Sequence, residues 1–251
     1  MIQSLERGTA ALVFLSKRVA AGVTEVAEEL GVNKSTAFRI LETLETANMV
    51  SQDKDTAKYR LGPGILRLSD RFVRNLDILP VARPHMARLV EATGESAHLC
   101  MFSSDAAVVI EQVMTDSRLA VHAKIGNAEP AHCSSVGKCL LAFRPAQQRE
   151  DILSRLRFEA FTEKTITDAQ TLRRELDAVA LRGYALDDGE MNKDVICIAA
   201  PIFNNLGAVP YSLGISGPRS RISGEKRIER LARDVTNAAK KLSEHLGYFR
   251  D

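Results

Sequence analysis

The sequence predicts an α+β protein in which a small helical unit ending in a β-hairpin precedes a larger unit of sheet and helices. Three observations carry this: the spacing Ala27-x3-Gly31-x5-Ala37, an apolar stripe at helical spacing after Gly64, and a change from helical to strand periodicity at Gly94. In the first, a small residue lets two helices approach, a glycine takes the left-handed turn, and an apolar residue anchors the second helix. That is the layout of a helix-turn-helix.

Each element follows in order. Residues 4–20 read as an amphipathic helix on Leu5, Leu12, Leu15 and Val19. Val23–Leu30 follows, with Thr24 as cap, Glu25 in the favourable first turn, and Val26, Ala27 and Leu30 facing inward. A third helix runs from about Lys34 to Ala47 with Asn33 as its N-cap and Ala37, Ile40, Leu41 and Leu44 as its core stripe. That leaves Lys34, Ser35, Thr36 and Arg39 on the open side, with side chains suited to phosphates and base edges. Met49–Gln52 and Lys58–Leu61, joined by the polar turn Asp53–Thr56, read as a hairpin. A hairpin behind such a helix makes a winged helix-turn-helix, whose wing lies on the phosphate backbone through Lys54, Lys58 and Arg60.

Residues 1–62 hold eight basic and eight acidic side chains, so this unit is neutral and lacks the usual basic footprint of a DNA-binding domain. The cations at the third helix's start and on the wing predict a locally positive face, modest affinity per monomer, and dependence on oligomers. Gly62-Pro63-Gly64 breaks the chain, and Ile65, Leu68, Phe72 and Leu76 then form an apolar stripe suited to pairing with a second subunit. A further helix starts near Pro80 and runs to Gly94.

Beyond Gly94, Ser96–Phe102, Ala106–Val113 and Leu119–Ile125 read as strands. Helices follow near Ser135–Phe143, Gln147–Leu156 and Asp168–Arg182. Strands Val195–Phe203 and Ala208–Ser216 are joined at the turn Asn204-Asn205-Leu206-Gly207. A long helix on Ile228, Leu231, Val235, Leu242 and Leu246 closes the chain, and the whole makes an α+β domain of sensor size. The segments expected are therefore 1–62, 63–78 and 79–251.

Composition bounds function only loosely. Hydrophobic content of 45%, charged content of 26% and a net charge of +2 are ordinary for a globular protein. No 18-residue apolar run and no signal-peptide layout at the start point to a cytoplasmic protein without a membrane partner. The four cysteines (Cys100, Cys133, Cys139, Cys197) form no CxxC pair, so no disulfide framework is expected, and nothing calls for a cofactor.

A pocket for a small anion needs donors at a helix N-terminus and polar groups converging from neighbouring strands. Cys133-Ser134-Ser135-Val136-Gly137 precedes a helix; Gly214 and Ser216 share one strand face; Cys197 opens the adjacent strand; Asp187 sits in a loop after Tyr184. The plainer readings are an N-cap for Ser134, buried small hydrophobes for the cysteines, and a turn carboxylate for Asp187. Three other functions stand beside the pocket. His132, Cys133 and Asp187 can be assembled into a nucleophilic triad with Ser134 or Ser135 as stand-ins, giving a thiol- or serine-dependent hydrolase, though no GxSxG elbow is present. His98, Cys100, His122, His132 and Cys133 are metal-ligand types but lack zinc-site spacing. An architectural DNA-binding protein would use the second unit only to oligomerise.

Ser4-Leu5-Glu6-Arg7-Gly8, Lys34-Ser35-Thr36 and Tyr59-Arg60-Leu61-Gly62 in the first half belong with a second group further on. These are Gly94-Glu95-Ser96, Gly137–Ala142, Gly183–Asp188, Cys197–Ile202 and Ile215–Pro218. Together, and collinear over nearly the whole chain, they resemble the isocitrate lyase regulator (IclR) family. The resemblance implies an N-terminal winged helix-turn-helix, a linker helix that pairs subunits, and a C-terminal GAF-like effector-binding domain. It implies a transcriptional repressor or activator that binds operator DNA as a homodimer or dimer of dimers and responds to a small carboxylate or aromatic acid. Two recognition helices one DNA turn apart, roughly 34 Å, match a pseudo-palindromic site. By the same resemblance the effector-contacting positions are Val121, Ser135, Val136, Asp187, Cys197, Gly214 and Ser216, with Arg118 near that strand. Gly214 stands where serine is common, and Ser135 where some members have glycine. Both departures point away from glyoxylate or pyruvate and towards a larger or aromatic acid.

Overall fold

The computed structural model describes residues 2–74 and 76–249; Met1, Asn75, Arg250 and Asp251, which fall in the segments expected above, lie outside the described residues. The chain divides into two compact units, Met1–Asp77 and Ile78–Asp251.

In the first unit, α1 (Gln3–Ser16), α2 (Val23–Leu30) and α3 (Lys34–Thr46) surround a core of Ala11, Phe14, Leu15, Val26, Ala27, Ala37 and Leu41. Helix α1 stops at Ser16, earlier than expected, and Leu5 and Val19 point to solvent while Ala11, Phe14 and Leu15 are buried. Helix α2 is capped by Gly22 rather than Thr24: the Glu25 carboxylate reaches back and accepts from the Gly22 N–H at 2.8 Å. Gly31 takes the left-handed turn at φ 61°, and Asn33 caps α3 by accepting from the Thr36 N–H at 2.8 Å. Strands β1 (Val50–Gln52) and β2 (Tyr59–Leu61) pair antiparallel, and Ala21 adds a bridge to Tyr59. The hairpin turn is set by Asp53, whose Oδ1 accepts from the N–H groups of Asp55 and Thr56. Helix α4 (Gly64–Arg74) carries Leu66, Leu68 and Phe72 exposed and Ile65 half-buried. Leu76 lies beyond the helix and is buried, so it does not extend the stripe.

The second unit opens with α5 (Ile78–Thr93), followed by β3 (Ser96–Ser103), β4 (Ala106–Val113), β5 (Ala128–Pro130), α6 (Ser135–Ala142), α7 (Ala146–Leu153) and α8 (Ala169–Arg182). It continues with β6 (Ala185–Asp188), β7 (Val195–Ile202), β8 (Tyr211–Pro218), α9 (Arg219–Ile222) and α10 (Glu225–His245). Among the described residues the strands form a six-stranded antiparallel sheet in the order β5-β4-β3-β8-β7-β6. Helices α5 and α10 pack together and on the sheet; α6 packs against β7 and β8, and α8 packs on α6. The near-continuous apolar run of β7, buried along almost its whole length, is what a strand covered on both faces requires.

The expected strand Leu119–Ile125 does not form. The free edge of β4 is taken by the segment after it, with Gly126 N–H donating to Val109 O and Val109 N–H to Asn127 O, and β5 continues that pairing. Residues 119–125 are left as an irregular strap, with Leu119 and Ile125 exposed. Arg221 secures it, donating from Nη1 to Ser117 Oγ and Leu119 O at 2.8 Å each while its other nitrogens hold buried Glu95. Asp187 is likewise not in a loop: it stands on β6, opposite Cys197.

Candidate functional site

Register assembles the pocket. Asp187 faces Cys197, Cys197 faces Ser216, and Ser216 faces Ser96, so four polar side chains from four strands form one row across the sheet. Directly paired residues share a face, so the row is fixed by strand pairing rather than by loops. The N-terminus of α6 lies on this face: its helix shares one core cluster with Cys100, Ala185 and Ala199 of the sheet. Ser134 caps α6 by accepting from the Gly137 N–H at 3.1 Å and donating to Pro130 O at 2.7 Å. Gly137 permits this close seat, since a Cβ there would lie 2.6 Å from Ala131 Cα. The first-turn N–H groups of Ser135 and Val136 cannot bond within the helix and carry its positive end.

Between the row and the helix end lies a cavity of about 170 Å³ lined by Val121, Ser135, Val136, Asp187, Cys197 and Ser216, together with His98, His122, Glu129 and Asn192. Its size is on the scale of the ~150 Å³ that admits a benzene ring. Gly214 is not among the lining residues. A Cβ there would stand 2.7 Å from His98 Nε2 and 3.0 Å from Val136 Cγ1, so the room gained at Gly214 is filled by the His98 imidazole. Arg118 lies outside the lining and is exposed.

The cavity's electrostatics follow from burial. His98 is pushed down to about 4 by desolvation and is neutral, and its Nδ1 has no partner. Ser135 Oγ is also buried without a partner. Desolvation raises Asp187 to about 6 against the hydrogen bond it accepts from the Glu190 N–H at 2.6 Å. Glu129 is raised by burial and by the nearby Asp187 charge. Behind Asp187, the fully buried Lys138 donates from Nζ to Leu186 O at 2.6 Å and to Glu190 Oε1, with Glu175 at 3.7 Å. Burial raises Glu190 to about 7 despite this partner. Ser216 Oγ donates to Cys197 Sγ at 3.1 Å, and burial pushes the Cys197 thiol well up.

The hydrolase constellation does not assemble. His132 Nε2 lies 2.9 Å from Glu159 O, its ring packs on Phe158 and Phe161, and burial keeps the Cys133 thiol protonated. Among the described residues no group of three or more His, Cys, Asp or Glu side chains is placed to hold a metal ion.

On the first unit, Lys34, Ser35 and Arg39 are exposed and Thr36 is half-buried at the start of α3; Lys54, Lys58 and Arg60 are exposed on the hairpin. Three acids of this unit are turned to backbone N–H groups: Glu25 at the α2 cap, Asp53 in the hairpin, and Glu45, which accepts from Gln52 N–H at 2.8 Å. Arg39 and Thr36 also line a cleft with Gln3, Arg7 and Gly8 of α1.

Residues 4–54 match the IclR helix-turn-helix domain, and residues 70–244 match the bacterial transcriptional regulator IclR C-terminal domain. The chain belongs to the IclR family. It is 33% identical over 227 residues to the HTH-type transcriptional regulator KdgR of Escherichia coli K12, covering 90% of this chain and 86% of that one. It is 32% identical over 246 residues to the HTH-type transcriptional repressor AllR of Klebsiella pneumoniae, covering 98% and 90%. Among solved structures, an IclR homologue of Microbacterium hydrocarbonoxydans complexed with 4-hydroxybenzoate matches with a TM-score of 0.83 at 25% identity, covering 97% of this chain and 99% of that one. As an IclR-family member the chain is a DNA-binding transcriptional regulator and not an enzyme. No helix among the described residues is long and apolar enough to cross a membrane.

Sequence reasoning weighed His98 and His122 only as metal-ligand types, and missed Glu129, Asn192 and the Lys138–Glu190 pair. For Lys138 a signal was present, a single charge inside the apolar run Val136–Ala142, since a lysine there must find a partner. Glu129 had none.

Proposed function

We propose that this regulator is switched by a small organic acid bound in the cavity between α6 and the Asp187–Cys197–Ser216 row. The observation that carries the reading is the convergence there of a helix N-terminus with the unpartnered, buried Ser135 Oγ and His98 Nδ1. A buried polar atom without a partner costs about 1–3 kcal/mol, and a ligand that satisfies it recovers that cost. The carboxylate sits at the first turn of α6, where N–H groups and the helix dipole favour an anion. The cavity's size and the related complex with 4-hydroxybenzoate both favour an acid as large as a substituted benzoate.

DNA is read by the start of α3 through Lys34, Ser35, Thr36 and Arg39, with Lys54, Lys58 and Arg60 of the hairpin on phosphates. The neutral charge of residues 1–62 makes a single copy a weak binder, so two copies act together, paired through the exposed stripe of α4. The organisation is 1–62 for DNA, 63–78 for pairing, and 79–251 for the effector. The acid shifts the population between arrangements of the paired DNA-binding units, and so shifts operator affinity.

A thermal-shift screen over small monocarboxylates and aromatic acids tests the first step. At least one acid raises Tm in wild type and fails to do so in Ser216→Ala. A screen in which no acid stabilises the protein contradicts the reading.

A further inference from the structure

The cavity's fixed charges are of one sign. Glu129 and Asp187 both line it, and no lysine or arginine side chain does among the described residues. The nearest buried cation, Lys138, is committed to Glu190, Leu186 O and Glu175. His98 is neutral. The other imidazole of the lining, His122, is solvent-exposed, so among the buried groups positive potential enters from the first turn of α6. Elsewhere an anion meets two acids, each with acceptor capacity left for a donor. Asp187 accepts from the Glu190 N–H at 2.6 Å and is also held by the Met191 and Gly189 N–H groups, which leaves about one acceptor site open, and Glu129 on β5 adds a second acceptor that the family resemblance did not assign.

We propose that this pocket selects a monocarboxylate carrying a hydrogen-bond donor, a hydroxyl or an ammonium, received by Glu129 and Asp187, and that it excludes dicarboxylates. This rests on the acid-effector reading above and narrows it. A hydrogen bond to a charged acceptor contributes about 1.5–3 kcal/mol, so the donor raises affinity roughly 10- to 150-fold over the same acid without it.

Calorimetric titration of the full-length protein at pH 7.5 tests this with two matched series: lactate, propionate and malonate, then 4-hydroxybenzoate, benzoate and terephthalate. A parallel titration with 4-(aminomethyl)benzoate reads an ammonium in place of the hydroxyl. The expected result is that a donor-bearing acid of at least one series binds ten-fold or more tighter than its plain counterpart, while neither dicarboxylate binds. Glu129→Gln reduces that preference and admits a dicarboxylate, with Asp187→Asn as the second variant and circular dichroism confirming the fold of each. Plain acids binding as tightly as donor-bearing ones, or a dicarboxylate binding best, overturn the proposal while leaving the acid-effector reading intact. Variants that keep the wild-type order of ligands also overturn it. No binding by any of the seven compounds overturns both.

Discussion

Asp187 is held at an energetic cost that can be measured without any ligand. Its carboxyl is raised from 3.8 to about 6 because burial opposes its charge. For an acid whose folded value is raised, the folded state binds more protons than the unfolded state between the two values, so stability falls as pH rises from about 4 to about 6 and stays low above. A rise of that size corresponds to roughly 3 kcal/mol. Asp187→Asn keeps an acceptor for the Glu190 N–H and removes the charge. Denaturant unfolding is expected to show this variant more stable than wild type at pH 8 and no more stable at pH 4. Arg39→Ala acts at the other end of the chain: operator affinity falls and acid affinity is unchanged, as fluorescence anisotropy and calorimetry read. At this scale the sequence was most legible where a residue's role is local, although the α2 cap falls on Gly22 and not on Thr24. Asn33 as a cap and Gly31 as a turn follow from backbone chemistry within four residues. The His98–Gly214 packing depends on strand register, which brings together residues 116 positions apart, and the approach of Glu129 to Asp187, on opposite edge strands and 58 positions apart, depends on the fold of the whole sheet; no local pattern encodes either.

The helix-turn-helix is the element on which the DNA-binding reading rests, and its turn is its most exacting point. Gly31 lies at φ 61° with open space where a Cβ would stand, so an added side chain meets backbone strain and no clash. Gly31→Ala is expected to destabilise the first unit by about 1–2 kcal/mol. Leu41→Ala, at a fully buried site, costs about 2–5 kcal/mol. Thermal unfolding separates the two magnitudes. On α4, Leu68 and Phe72 are about half exposed, and replacing either by glutamate is expected to shift sedimentation towards monomer and weaken operator binding together. Long periodic elements, such as α8, α10 and β4, were readable because one apolar face repeats over many residues. The strap at 119–125 was not, because its alternation of Leu119, Val121, Ala123 and Ile125 mimics a strand while the edge it would pair with is already taken by β5. The short strand β6 escaped notice for the opposite reason: four residues, two of them aspartates, carry too little pattern to declare themselves.

For the whole molecule, the proposed switch rests on coupling between two sites on separate compact units. A coupling free energy of 1–3 kcal/mol changes operator affinity roughly 5- to 150-fold, and a ligand with equal affinity for both arrangements changes nothing however tightly it binds. In the proposed switch each DNA-binding unit, neutral over residues 1–62, is weak alone, so small changes in how two copies are held become large changes in occupancy. The decisive measurement is an anisotropy titration of operator DNA, recovered by selection from genomic fragments, against wild type, Ser216→Ala and Arg39→Ala. Each is run with and without the acid that stabilises the protein most. The account predicts that the acid moves wild-type operator affinity at least five-fold, that Ser216→Ala binds DNA normally but no longer responds, and that Arg39→Ala loses DNA while still binding acid. Operator affinity that stays constant while calorimetry shows the acid bound, or two variants that each lose both activities, would contradict it.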